Sequence, residues 1–289
     1  KGQFGLITGG GNTHAPAFVG YLGDGMLDSV AIGEVFASPP ALAFYDAIVD
    51  ADQGEGVAVL FGNYAGDNMN VKMAVQMAED DDIEVKYVVA NDDVASAPKA
   101  VKEQRHGIAG GFFMWKVGGA RAAKGGNLDA VIASAQNVVR RTKSICVGLE
   151  PCVIPALGHS NFKIEDGMME FGVGHHGEAG TKVEELKSAS EIAQEMAETI
   201  LNDFDFEEGK EVAVMLSGLG ATPVMELYVL YDEVEKVLAK AGHKVWKTYI
   251  GNYVTSLDMN GASLTIVDLD DEIKELLSEP AAPIGMKNY

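Results

Sequence analysis

The chain has 289 residues, 47% of them hydrophobic, which is enough for about two packed domains at roughly 150 residues each. Its 43 Asp and Glu against 22 Lys and Arg give a formal charge of −21 and a pI near 4.5, so phosphate backbones and anionic lipid surfaces are repelled, making nucleic acid and membrane poor partners. No run reaches the roughly 18 apolar residues that span a bilayer, and Lys1-Gly2-Gln3 lacks a signal peptide's apolar core. The cytoplasm is the expected compartment, and because the first residue is not methionine an N-terminal piece is expected to be missing.

Short apolar runs alternate with helical patterns along the chain. Phe4 to Thr8 and Ser29 to Phe36 read as strands, followed by a helix from about Pro39 to Asp52 with proline in its first turn. Gly56 to Asn63 is a third strand. Asp67 to Glu79 is a helix whose Met69, Met73, Val75 and Met77 are expected on the buried face, and Glu84 to Ala90 is a fourth strand. Ile108 to Ala123 reads as helical despite its glycines. Leu128 to Lys143 reads as an amphipathic helix whose closing Arg140, Arg141 and Lys143 suit the negative end of its dipole.

The second half begins afresh with a strand at Ile145 to Leu149, a loop from Pro151 to Ser160 and the apolar run Met168 to Val173. A helix from about Glu191 to Phe204, a strand at Glu211 to Leu216, a helix from Pro223 to Lys240, and strands at Lys244 to Ile250 and Ala262 to Leu269 complete it. This alternation implies an α/β chain of two layered domains with mixed, largely parallel sheets, divided as residues 1–144 and 145–289. Cys146 and Cys152 have no companions at metal-ligand spacing and read as reduced, buried, structural thiols.

Gly174-His175-His176-Gly177-Glu178-Ala179 is the best candidate for chemistry. Its glycines permit a tight positive-φ turn at the end of an apolar run, presenting two imidazoles beside a carboxylate. A neutral imidazole is a base or nucleophile near neutral pH, and a nearby carboxylate can fix which ring nitrogen carries the proton. The alternative is a turn histidine beside a half-buried spacer. Thr8-Gly9-Gly10-Gly11-Asn12-Thr13-His14-Ala15-Pro16 invites a phosphate cradle, but the Gly-Lys-Ser/Thr of a P-loop and the dinucleotide glycine spacing are both missing. The loop delivers His14 instead. In Gly62-Asn63-Tyr64-Ala65-Gly66-Asp67 the aspartate is either a helix N-cap or a carboxylate for substrate hydroxyls. Ser217-Gly218-Leu219-Gly220 is a sharp strand-to-helix turn, and Gly251-Asn252-Tyr253-Val254-Thr255-Ser256-Leu257-Asp258-Met259 is oddly specific for a linker.

These segments, in this order, resemble the substrate-binding K subunit of dihydroxyacetone kinases, over essentially the whole chain. Further matches are Asp24-Gly25-Met26-Leu27, Val35-Phe36-Ala37-Ser38-Pro39, Met69-Asn70, Pro151-Cys152 with Pro155, and Thr222-Pro223 with Met225-Glu226-Leu227. The resemblance implies two α/β domains, a homodimer, and a short-chain ketose such as dihydroxyacetone held as a hemiaminal on His176. It further implies that His14 and Asp67 hydrogen-bond the hydroxyls and handle the transferred proton, that Gly10 and Gly11 lie close to the ligand, and that His175 is the nucleophile's neighbour.

No cofactor is expected on this chain. ADP or ATP and magnesium belong to a separate helical L subunit, fed in bacterial systems by a phosphotransferase relay through an M subunit, and the chain is expected to be inert alone. The family pattern Gly-Gly-Gly-Ser-Gly-His-Glu-Pro is changed here at Asn12, Thr13 and Ala15, and the family's lysine before Asn-Tyr is Gly62. Those departures fit a four-carbon ketose such as erythrulose, or a non-catalytic sensor and co-activator paralogue. A weaker alternative is nucleotide binding by the triple-glycine loop.

Overall fold

The computed structural model describes residues 4–160, 162–205 and 209–286; the start Lys1-Gly2-Gln3 lies outside them. In chain order the elements begin β1 (Gly5–Gly11), β2 (Gly23–Asp24), β3 (Ser29–Gly33), α1 (Ala41–Ala51), β4 (Val57–Gly62), α2 (Ala65–Asp80) and β5 (Val85–Ala90). They continue α3 (Gly111–Ala123), α4 (Leu128–Arg140), β6 (Thr142–Glu150), β7 (Met168–Phe171), β8 (Lys182–Glu185) and α5 (Ala189–Asp203). The chain closes with β9 (Glu211–Gly218), α6 (Val224–Lys240), β10 (Lys244–Gly251), β11 (Asn260–Asp268), α7 (Asp271–Ser278) and β12 (Ala282–Pro283).

The chain divides into two compact units. One takes the chain up to Asn91, then Gly111–Arg140, then everything from Asp270 on; the other takes Asp92–Gly110 and Arg141–Leu269. The strand and helix pattern places the break at residue 144/145. The main crossing falls at Arg140/Arg141 instead, residues 92–110 join the second unit, and residues 270–289 return to the first. The return is driven by α7, whose Ile273, Leu276 and Leu277 form a buried stripe at helical spacing. Its N-terminus is capped by Asp270, which accepts the Ile273 N–H at 2.8 Å. At its other end the buried Lys116 ammonium of α3 donates to the carbonyls of Leu276 (3.1 Å) and Glu279 (2.8 Å), satisfying groups that a helix end leaves open.

The first unit carries a wholly parallel four-stranded sheet, ordered β3-β1-β4-β5. Its two inner strands are buried on both faces, as parallel strands covered by helices are. Ile7, Val57, Val59 and Phe61 pack with Phe44 and Ile48 of α1 and Val71, Ala74 and Ala78 of α2. Leu60 turns the other way, towards Gly118 of α3, and its carbonyl accepts Trp115 Nε1 at 3.1 Å.

The fold class is mixed α/β, as expected, but parallel pairing is unevenly shared. In the six-stranded sheet of the second unit, ordered β10-β9-β11-β6-β7-β8, only β9 and β10 are parallel. Helices α5 and α6 bury Ile192, Met196, Ile200, Leu227, Val234 and Leu238 against Ile145, Val147, Val214, Leu216 and Leu264 of this sheet. A capping box between Ser188 and Glu191 starts α5.

Two details depart from the sequence reading. Helix α4 ends at Arg140 because Thr142 onward is drawn into the antiparallel β6–β11 ladder. Arg141 therefore pairs with Asp268 at 2.6 Å, and Lys143 is buried in the strand with its ammonium 5.9 Å over the Phe204 ring. On α2 the small residues Val71, Ala74 and Ala78 face the core, while Met69 and Met73 are 61% and 49% exposed. The close approach of α1 leaves room for alanine, not methionine, on that face.

Candidate functional site

The glycine run is strand, not loop. Gly9, Gly10 and Gly11 pair in register with Ala31, Ile32 and Gly33 of β3, so they sit in the ladder. What requires glycine there is close packing of rings: a Cβ on Gly9 would lie 2.3 Å from the Phe44 ring, and one on Gly10 2.1 Å from that of Phe18. The loop proper starts at Asn12, whose N–H donates to Glu34 O at 3.2 Å. It carries Thr13 and His14 inward, both buried, with the Phe18 ring edge-on to the His14 imidazole at 6.0 Å. Of the family departures, Asn12 and Ala15 are exposed and Thr13 is buried.

Asp67 is not the N-cap of α2. Tyr64 occupies the cap position without a side-chain cap bond, and Asp67 is the third helical residue, buried in the first turn. A carboxylate there faces the positive end of the helix dipole. His14 and Asp67 follow the carboxyl ends of the neighbouring strands β1 and β4, the end at which open parallel sheets collect ligands. The same end is tied to the loop after β3 by Asn70, which donates to Ser38 Oγ (3.2 Å) and Pro39 O (2.8 Å).

His176 belongs to the second unit, on the connection between the antiparallel strands β7 and β8. Gly172 (φ 78°) and Gly177 (φ 80°) turn the chain in the left-handed region. Gly174 is required for another reason: a Cβ there would lie 2.2 Å from Glu178 Oε2, because the Glu178 side chain folds back over this backbone. Glu178 thereby grips the turn twice, accepting the His176 N–H at 2.9 Å through Oε2 and His176 Nδ1 at 2.9 Å through Oε1. Burial pushes the Glu178 carboxyl up, but the hydrogen bond and charge of His176, helped by backbone N–H groups, outweigh it and hold the group at about 2. A carboxylate on Nδ1 fixes the tautomer whose lone pair is on Nε2.

The two histidines differ in setting. His176 has a side chain 23% exposed, whereas His175 is buried and its carbonyl accepts the Ser256 hydroxyl. This explains the specificity of the 251–259 segment: it is a clamp. Ser217 Oγ accepts the N–H groups of Tyr253 (3.0 Å) and Val254 (3.1 Å), Ser256 N–H donates to Leu219 O at 2.8 Å, and Ser256 in turn holds the histidine backbone. Sequence reasoning had the turn but missed the adjacent acids Asp92 and Asp93. Their signal was a consecutive acidic pair directly beyond a parallel strand. Cys146 and Cys152 are free and buried, and among the described residues no cluster of His, Cys, Asp and Glu could hold a metal ion. No helix of the described residues is long and apolar enough to cross a membrane.

Comparison with known proteins follows the same lines. The family model described as the Dak1 domain matches residues 1–284. The chain is 41% identical over 271 residues to PTS-dependent dihydroxyacetone kinase 1, dihydroxyacetone-binding subunit DhaK, of Listeria innocua, covering 94% of this chain and 82% of that one. It is 36% identical over 280 residues to D-erythrulose kinase of Mycolicibacterium smegmatis, covering 97% of this chain and 48% of that protein. Among solved structures, the dihydroxyacetone kinase operon co-activator DhaQ superposes with a TM-score of 0.92 at 30% identity, covering 98% of this chain and 87% of that one.

Proposed function

The chain belongs to the Dak1 domain family, and from that premise we propose that it is the ketose-binding subunit of a dihydroxyacetone kinase, holding its substrate covalently on His176 for phosphorylation by a separate subunit. The observation that carries this reading is the His176 Nδ1 to Glu178 bond, which fixes the tautomer whose nucleophilic lone pair is on Nε2. A ketone carbon is electrophilic and a polyol is not. Capture therefore selects ketoses by chemistry, and tethering removes translational freedom before phosphoryl transfer. His14 and Asp67, together with the backbone at Gly10 and Gly11, are assigned to the hydroxyl groups, with His14 and Asp67 accepting the proton as the phosphorus–oxygen bond forms. Adenine nucleotide and magnesium are assigned to an L-type subunit, alone or fed by a phosphotransferase M subunit, so this chain by itself turns nothing over.

Exposed apolar side chains support protein partners. Leu42, Met69 and Met73 are exposed on the unit that carries Asp67, and Val224, Met225, Tyr228 and Val229 on the first turns of α6, the latter supporting a homodimer. Intact-protein mass spectrometry after incubation with dihydroxyacetone tests the central step. His176→Ala is expected to abolish the adduct, whereas His14→Asn keeps capture and slows transfer by about 10²-fold in the reconstituted kinase. Retention of the adduct by His176→Ala refutes the reading.

Two other outcomes have specific support. Preference for erythrulose over dihydroxyacetone fits the relative of that activity and the changes at Asn12, Thr13, Ala15 and Gly62. Capture without transfer in any cognate partner set fits a sensor like the co-activator relative.

A further inference from the structure

Behind the His176 turn lies an acid that the proposed reaction leaves unused. Asp92 and Asp93 follow β5 into the second unit, and each is only 2% exposed. Their surroundings set them apart. Asp92 is a clasp: its carboxylate accepts the N–H groups of Ile108 (3.1 Å) and Gly110 (2.8 Å) and the Ser144 hydroxyl. The Asp93 carboxylate accepts the Ala95 N–H at 3.0 Å, while its backbone is fixed by donation to His106 O and by pairing with Ser144 at the root of β6.

This loop and the histidine turn share one framework. The Ala95 methyl fills the space beside Gly172, where a Cβ would come within 2.7 Å of it, and the Gly172 N–H donates to Cys146 O at 2.7 Å. The buried Cys146 thiol, raised first by burial, feels the negative charge of Asp93, Asp92 and Glu178 together, so all three carboxylates lie within electrostatic reach of one residue of β6. Arg105, the cation that opposes Asp93, is committed to Asp203 by two bonds of 2.7 Å, and the ammonium of the buried Lys143 feels Asp92.

We propose that Asp93 is a positioning carboxylate for the His176–Glu178 pair, its negative charge favouring the imidazolium that ketone addition creates. The chemical consequence rests on the covalent reading above. In that step Nε2 gives its lone pair to the ketone carbon, the carbonyl π pair moves to oxygen, and the oxygen takes a proton from solvent. The ring becomes cationic with its Nδ1–H on Glu178. Two carboxylates stabilise that cation better than one. The device is graded by pH: burial pushes Asp93 up to about 7, with Asp92 and Glu178 adding to the rise and the Ala95 N–H and Arg105 opposing it. Its charge is therefore present above pH 7 and lost below.

The test compares wild type with Asp93→Asn. First, without ketose, the His176 ring is titrated by NMR. Loss of the Asp93 charge is expected to lower its midpoint by on the order of half a unit, and Asp93→Glu to restore it. Second, dihydroxyacetone capture is measured by mass from pH 5.5 to 8.5. The variant is expected to match wild type below pH 6 and to fall about threefold behind above pH 8, the equivalent of that half unit. A merely structural role lowers capture equally at every pH.

Unchanged His176 titration, or a variant-to-wild-type ratio flat with pH, overturns the proposal. Asp93→Ser serves as a second neutral variant should asparagine perturb folding. If wild type captures no ketose while the midpoints still differ, the covalent reading falls and the coupling of Asp93 to His176 stands.

Discussion

Glu178 shows how one side chain can serve both architecture and reactivity. Its carboxylate ties the His176 peptide and ring at once, and its acidity is held at about 2, below the ordinary carboxylate range. A group with a depressed folded-state value contributes stability that is present above its unfolded value, near 4.3, and lost as pH falls towards 2. Because Glu178 is 36% exposed, screening trims that contribution to about 1 kcal/mol. Glu178→Gln is thus expected to cost about 1 kcal/mol in urea denaturation at pH 7 and to converge with wild type as the pH is lowered from about 4 towards 2. At this scale the sequence was informative about His176 and Glu178, because glycines around two imidazoles and an acid have few other uses. It offered only faint signs of Asp93, in an acidic pair beyond β5, and of Ser256, in the unusual 251–259 segment. Their relation to the histidines is made by the tertiary path of residues 92–110 and 251–259, which no local pattern encodes.

Among the elements, the legible ones were those with a clean period. Helices α1, α5 and α6 and strands β4, β5, β9 and β10 lie within a few residues of where hydrophobic spacing puts them. The failures share a cause, competition from tertiary packing. Three glycines read as a loop became strand because two aromatic rings need their missing side chains, and three basic residues read as a helix end were divided when β11 claimed Thr142 onward. Helix α3 sharpens the point, with ten successive buried residues from Gly111 to Ala120. Intrinsic propensity says that alanine at Gly119 should gain about 1 kcal/mol. Yet a Cβ there would lie 2.3 Å from the Gly25 carbonyl oxygen and 2.5 Å from the Met26 Cα, and backbone cannot swing aside as a side-chain tip can. Packing wins: Gly119→Ala is expected to destabilise by roughly 1–3 kcal/mol, read from the denaturation midpoint at constant slope.

For the molecule entire, the excess of 43 acids over 22 bases dominates. Like charges at this density oppose compaction, and salt screens them over a Debye length of about 10 Å at 0.1 M. The melting temperature is therefore expected to rise between about 10 mM and 200 mM NaCl. A fall would mean that the ion pairs, such as the buried Arg105–Asp203 bond, outweigh the repulsion. Composition made this charge visible and the alternation of strand and helix patterns the α/β class, but the interleaving of the units was beyond both. Nothing in residues 270–286 announces that they complete the opening half.

That interleaving ordains a timetable. The α3 lysine ammonium waits, during synthesis, for two carbonyls that lie some 160 positions downstream. Until residues 276 to 279 have been made, the first unit carries a cation destined for a buried site without these two acceptors, at a desolvation penalty of several kcal/mol. Vectorial, half-by-half maturation is closed to such a polypeptide. The unit that β1 opens is completed only after the other has been made.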